Sequence, residues 1–227
     1  MNDLNTIVTG YLQTRKNDGE ACHRYASFDY CYNHFYPSKS RDAKFDMEKS
    51  CLAIGLYLAS WGMYRGSGFL LKRTSAKYYE PLVKFIMKQE PSIWKVDVDT
   101  YPDNEGKILN IYNEVSKQLK IAEMGQKKHV TLVTKVMLGV FGIVPAFDDN
   151  FCTTFRNIYK GECGFSSLNE QSLMCINDFY KKNKSVIDRL SDKTYTIEFC
   201  SGKPTNLKYT KAKIIDMYGF EKARISN

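Results

Sequence analysis

The chain reads as a mainly α protein of about nine or ten helices, forming one domain over residues 1–227, either single or as two closely packed lobes with a cleft between them. Three observations predict this. Apolar residues recur at three- and four-residue spacing in one segment after another. A single short stretch, Thr194-Tyr-Thr-Ile-Glu-Phe199, alternates as a strand does. Hydrophobic residues make up 43% of 227, enough to bury a substantial core and to exclude a disordered chain.

The elements follow in order. Leu4, Ile7, Val8, Tyr11 and Leu12 place a helix over 4–13. An aromatic helix is expected over Tyr25–Phe35, then a loop at Pro37-Ser-Lys-Ser40. Asp46 is placed to cap a long helix containing Cys51–Trp61, apolar on nearly every face and so expected at the centre of the fold. Gly62, Gly66 and Gly68 mark its end. Ser75 is expected to cap a helix through Tyr79, Val83 and Ile86, and Pro91–Asp103 reads as an irregular connection. Ile108, Ile111, Tyr112, Val115 and Leu119 define an amphipathic helix over 107–119. An apolar helix from Thr131 leads through Gly142 and Pro145 to a second helix near Asn150–Tyr159. A Gly161–Gly164 turn, a helix near Leu168–Leu190 and a last helix near Lys211–Lys222 complete the chain.

Charge and cysteine content narrow the function classes. There are 33 basic against 25 acidic residues, a net charge of +8, which favours a polyanionic partner such as DNA. Seven cysteines, an odd number with no Cys-x-x-Cys pair, fit reduced thiols in a cytoplasmic protein better than a secreted disulfide framework. The N-terminus lacks a basic region followed by an apolar run, so no signal peptide is expected. The most apolar segment, Cys51–Tyr64, is shorter than the roughly 20 residues a bilayer needs, so no membrane partner is expected. Oligomeric state is not legible.

Candidate chemistry starts at Pro145-Ala-Phe-Asp-Asp-Asn150, where two carboxylates stand at the start of a helix directly after a buried one. One of Asp148, Asp149 and Asn150 is needed as the helix cap. A second carboxylate is then free for catalysis, and the helix N-terminus keeps it ionised. Lys135, on the preceding apolar helix, either points into the same cleft or reaches solvent along its stem. In Ser60-Trp-Gly-Met-Tyr-Arg-Gly-Ser67, Arg65 is suited to phosphate, or simply to the last carbonyls of its helix, and Trp61 and Tyr64 are stacking faces. Phe28-Asp-Tyr-Cys-Tyr-Asn-His-Phe35, with Tyr30, lines a pocket for a planar ring or packs as a core helix. Cys22, His23, Cys31 and His34 fit no zinc spacing, so no metal and no cofactor is expected. Lys211 and Lys213 read as a solvated edge or as phosphate contacts. No phosphate loop, Gly-x-Ser-x-Gly elbow or His-Glu-x-x-His motif occurs.

The run Lys135-Val-Met-Leu-Gly-Val-Phe-Gly-Ile-Val-Pro-Ala-Phe-Asp-Asp-Asn-Phe-Cys-Thr-Thr-Phe-Arg156 resembles the corresponding segment of the helix-hairpin-helix DNA glycosylases. There an apolar helix precedes a Pro-Val-Asp-Thr-His-Val type turn that carries the catalytic carboxylate. The resemblance implies a glycosylase-like helical fold, Asp148 or, second, Asp149 as that carboxylate, and Lys135 for lyase activity. The resemblance also carries an arginine at Arg156; for such chemistry Trp61, Tyr64, Tyr30 and Phe147 are the candidate walls of a base pocket, and Arg65, Arg156, Lys127 and Lys128 the candidate phosphate contacts. The wider pattern, with Trp61-Gly-Met-Tyr-Arg-Gly66 and Ile-Asp-Met-Tyr218, is similar to a bacterial family associated with glycosylases of phage defence. The expected activity is therefore hydrolytic excision of a damaged or modified base from DNA. A non-enzymatic helical protein binding nucleic acid or protein, and a hydrolase of free nucleosides or nucleotides, are the alternatives.

Overall fold

A computed structural model describes residues 3–17, 19–37, 46–121 and 129–226. It is mainly α: 69% is helical, in eleven α-helices among the described residues. The helices are α1 (Asp3–Asn17), α2 (Ala26–Phe35), α3 (Met47–Ser60), α4 (Phe69–Arg73), α5 (Glu80–Met87), α6 (Tyr101–Gln118), α7 (Val130–Phe141), α8 (Asp149–Ile158), α9 (Glu170–Lys182), α10 (Lys184–Lys193) and α11 (Lys211–Ser226). One antiparallel hairpin, β1 (Tyr195–Ile197) with β2 (Pro204–Lys208), pairs Tyr195 with Lys208 and Ile197 with Pro204.

The central helix is α7. Every residue from Leu132 to Phe141 is buried, and α2, α3 and α6 all pack on it. The expectation that α3 is central fails on one face, because Leu52 and Leu56 stand 52% and 59% exposed. A run of apolar residues cannot show which of two helices is covered all round. Asp46 caps α3 as expected, accepting from Lys49 N at 3.0 Å. Ser75 makes no capping hydrogen bond, and the chain enters α5 through a 3-10 turn at Ala76–Tyr79. Residues 91–103 are more ordered than expected: two 3-10 turns lead into α6, which starts at Tyr101 behind the Asp97–Thr100 capping box. The long helix expected over 168–190 is two, broken at Asn183.

Close approaches lock α7 and α11 in place. Gly139 faces Tyr57 so tightly that a Cβ there would lie 2.3 Å from the ring. On α11, Gly219 meets Phe151 of α8 in the same way, at 2.5 Å. Asp97 accepts the first backbone N–H groups of α11, from Lys211 at 2.7 Å and Ala212 at 2.9 Å, satisfying donors that helix geometry leaves open. With α1, α8 and α10 all packed on it, α11 has little solvent-facing surface.

Candidate active site

The turn from α7 to α8 is held by side chains from elsewhere in the fold. Gly142 ends α7 in the left-handed conformation, φ 70°, and its N–H reaches the carbonyls of Met137 and Leu138. The chain then runs back along α7. Thr131 Oγ1 donates to the Phe147 carbonyl at 2.7 Å, and Phe147 N donates to Thr134 Oγ1 at 2.9 Å. Ala146 N donates to Asp216 Oδ1 of α11 at 3.0 Å. Buried backbone groups need such partners, and here they fix where residue 148 emerges.

Asp148 is the N-cap of α8, accepting from Phe151 N at 3.0 Å through Oδ1. Its other oxygen lies 3.9 Å from Lys135 Nζ. Lys135 is buried, and its ammonium donates to the Trp61 carbonyl at the end of α3, at 2.7 Å. Burial lowers the Lys135 pKa, with Arg65 and Lys213 adding repulsion, while Asp148 and Asp216 oppose the shift. Burial raises the Asp148 pKa, against the pull of Lys135 and the Phe151 N–H. The two shifts bring an amine and a carboxyl closer in proton affinity, which suits proton exchange and nucleophilic use of the amine.

A second lysine–aspartate pair lies behind Trp61. Lys213 Nζ bonds Asp216 Oδ2 at 2.8 Å and sits 4.6 Å from the Trp61 ring centre and 4.7 Å from that of Phe28. The solvated edge expected at Lys213 is thus wrong, since neighbouring helices close over it. Lys211 behaves differently and reaches Asp99 at 2.5 Å. Trp61 stacks on Tyr25 at 4.6 Å, and Phe220 meets both rings edge-on. Deeper, Asp29 accepts from both Arg15 and Tyr209. Burial pushes the Asp29 carboxyl up to about 6, against both of these donors.

The residues singled out in sequence do not all converge. Lys135, Asp148 and Trp61 come together, and Arg65, exposed, folds back over Gly62 close to them. Asp149 is exposed on the first turn of α8. Tyr30 and Tyr64 lie elsewhere, lining an apolar groove of about 960 Å³ on the outer face of α3 with Leu52, Leu56 and Phe199. Tyr64 is turned there by its hydrogen bond to Tyr79, at 2.6 Å. Phe147 is buried against Phe151 and Phe165 and has no open face. Arg156 is two turns along α8 from Asp148 and donates to the Gly164 carbonyl at 2.6 Å. Lys127 and Lys128 lie outside the described residues. No group of three or more metal-ligating side chains occurs among the described residues, and no helix there is long and apolar enough to cross a membrane. Sequence reasoning missed Asp216, Tyr25 and Phe220, and misread Lys213. The signal available was a Lys and an Asp three apart within Ala-Lys-Ile-Ile-Asp-Met, a charged pair inside an apolar helix.

No protein-family model, curated protein or solved structure matches the chain. The arrangement itself defines the class of site: a largely buried lysine–carboxylate pair at a helix N-terminus, beside an aromatic stack.

Proposed function

We propose that this chain is a DNA N-glycosylase of helix-hairpin-helix type that removes a damaged or modified base, with phage defence as one setting for it. The observation that supports the reading best is the Lys135–Asp148 pair, 3.9 Å apart, buried beside Trp61. Breaking the bond between C1′ and the base sends its electron pair to the base and leaves positive charge on the sugar. Asp148, ionised, stabilises that charge and takes the proton of an attacking water. In a lyase variant of the step, the neutral amine of Lys135 supplies the electron pair to C1′ instead and forms an imine after ring opening. The Trp61–Tyr25 stack would form an aromatic wall beside an extruded base, and exposed Arg65 would meet a strand phosphate.

Duplex and single-stranded oligonucleotides carrying defined modified bases test the reading, with abasic sites measured by alkaline cleavage. The expected result is base loss on at least one substrate, slowed at least a hundredfold by Asp148→Asn. Borohydride trapping that disappears in Lys135→Gln separates amine attack from water attack. Base loss from none of the substrates, or full activity in the Asp148→Asn, Asp149→Asn double variant, refutes the proposal. Faster cleavage of free nucleosides than of DNA favours the nucleoside hydrolase instead.

A further inference from the structure

The apolar groove on the outer face of α3 shares no residue with the Lys135–Asp148 pair, so what it binds does not depend on the chemistry proposed there. Lys49, Leu52, Leu56 and Ala59 follow one another at three- and four-residue spacing and place one stripe of α3 along it. At about 1.5 Å per residue the stripe is about 15 Å long, with the lysine at one end. Tyr30 of α2 and Phe199 of the β1–β2 turn add a further wall, their rings meeting edge to face at 5.0 Å. Gly55 leaves room, since even a Cβ there would meet Tyr79 and Tyr64 only at ordinary contact distances, 3.5 and 3.9 Å. The volume, about 960 Å³, lies at the upper end of the roughly 300–1,000 Å³ that small-molecule sites occupy.

The lining is unbalanced in two respects. Eight large apolar side chains stand exposed among the described residues, and three of them, Leu52, Leu56 and Phe199, are gathered here rather than scattered. The two charges that line the groove also differ. Glu198 is engaged within its own turn, accepting from Cys200 N at 3.0 Å and from Ser201 N at 2.6 Å. Lys49 uses only its backbone N–H, on Asp46, and its ammonium pairs with no carboxylate among the described residues. Lys49 is exposed, so an arriving anion reaches it without any movement of the fold.

We infer that the groove binds one anionic amphiphile, its apolar chain laid along Leu52 and Leu56 and its carboxylate head at Lys49. Burying the chain takes apolar surface of both partners out of water, which supplies most of the attraction. The head adds a weaker, salt-screened contact, because Lys49 is exposed. The occupant is a monomer from solution and not a bilayer: anionic membranes are held by clusters of basic residues, and a single lysine lines this groove. The same lone lysine disfavours a nucleic-acid strand, whose affinity grows with the number of phosphates neutralised.

The test titrates the full chain with dodecanoate, whose extended chain matches the stripe, and separately with dodecanol, both below the concentration at which they self-associate. Calorimetry gives affinity and stoichiometry, and the ¹³C methyl signals of Leu52 and Leu56 give the place. Dodecanoate is expected to bind one to one and to move both leucine signals. Leu56→Ser, a change at an exposed position, should weaken dodecanoate and dodecanol alike, about tenfold. Lys49→Gln should weaken dodecanoate about threefold to fivefold and leave dodecanol unchanged. No saturable binding, or full affinity in Leu56→Ser, overturns the groove as a site. Equal loss of both ligands in Lys49→Gln, or loss of neither, overturns the anionic head. A dimer that dissociates in Leu56→Ser and takes up no dodecanoate gives the face to a second copy of the chain and overturns the proposal. Cosedimentation with phosphatidylglycerol vesicles that Leu56→Ser abolishes overturns the choice of a monomer over a bilayer. Asp148→Asn should leave the dodecanoate response intact, so a protein that excises no base still reports on this groove.

Discussion

The Lys135–Asp148 pair lends itself to a double-mutant cycle in which the cap and the charge separate. Asp148 does two jobs, capping α8 and facing Lys135. Asn also caps well, so Asp148→Asn keeps the first job and loses the second, while Asp148→Ala loses both. The difference between the two variants should be the cap alone, about 1 kcal/mol. For the charge, Coulomb's law at 3.9 Å and an effective dielectric of about 20 gives a ceiling of about 4 kcal/mol. Exposed pairs deliver only about 0.2–1 kcal/mol. The side chains here are 6% and 15% exposed, so the coupling should fall between these bounds, at about 2 kcal/mol. The assay is urea denaturation at pH 7 of the wild type, Lys135→Met, Asp148→Asn and the double variant, with the coupling taken as the non-additive part. A coupling under about 0.5 kcal/mol would falsify the view that the two groups act as one buried unit.

Two further expectations follow from the same geometry. If Asp148 works as a carboxylate, the excision rate should rise with pH through its pKa. Because burial raises that pKa, the midpoint must lie above the ordinary value of 3.8; a rate profile flat down to pH 4 contradicts the assignment. Gly139→Ala sets two effects against each other: Ala favours a helix interior by about 1 kcal/mol, but its Cβ meets buried Tyr57 at 2.3 Å. Overpacking of this kind costs about 1–3 kcal/mol, more for a fixed ring, so the net change should be a loss of at least 1 kcal/mol by denaturation. Pairing it with Tyr57→Leu should recover much of that loss, and a stabilised Gly139→Ala protein contradicts the packing argument.

Much of this was legible in the order of residues along the chain. The period of α1, α6 and α7, the Asp46 cap and the α7–turn–α8 unit all follow from local pattern, because each is specified by neighbours within a few positions. That one of Asp148, Asp149 and Asn150 caps α8 was foreseeable for the same reason, but the structure gives the cap to Asp148, the residue expected to be left free, and the glycine at 142 marked the end of α7. The partners of the site were not legible. Asp216 is 70 residues from Ala146, and Lys213 and Trp61 meet only because α11 and α3 converge near α7. Periodicity indicates that one face of a helix is buried, but it does not say that α11 is covered on its other faces too. The same blindness to long-range contacts put Tyr30 and Tyr64 in one pocket with Trp61, whereas the hydrogen bond from Tyr64 to Tyr79 turns that ring to the opposite side of α3.

The Asp216 hydrogen bond to Ala146 also has a meaning during synthesis. The turn carrying Asp148 is made some 70 residues before Asp216, so for that interval it is held by Thr131 and Thr134 of α7 but not by α11. A product of interrupted translation that ends before α11 would contain Lys135, Asp148 and Trp61 and yet lack one of the three hydrogen bonds that hold the turn between α7 and α8.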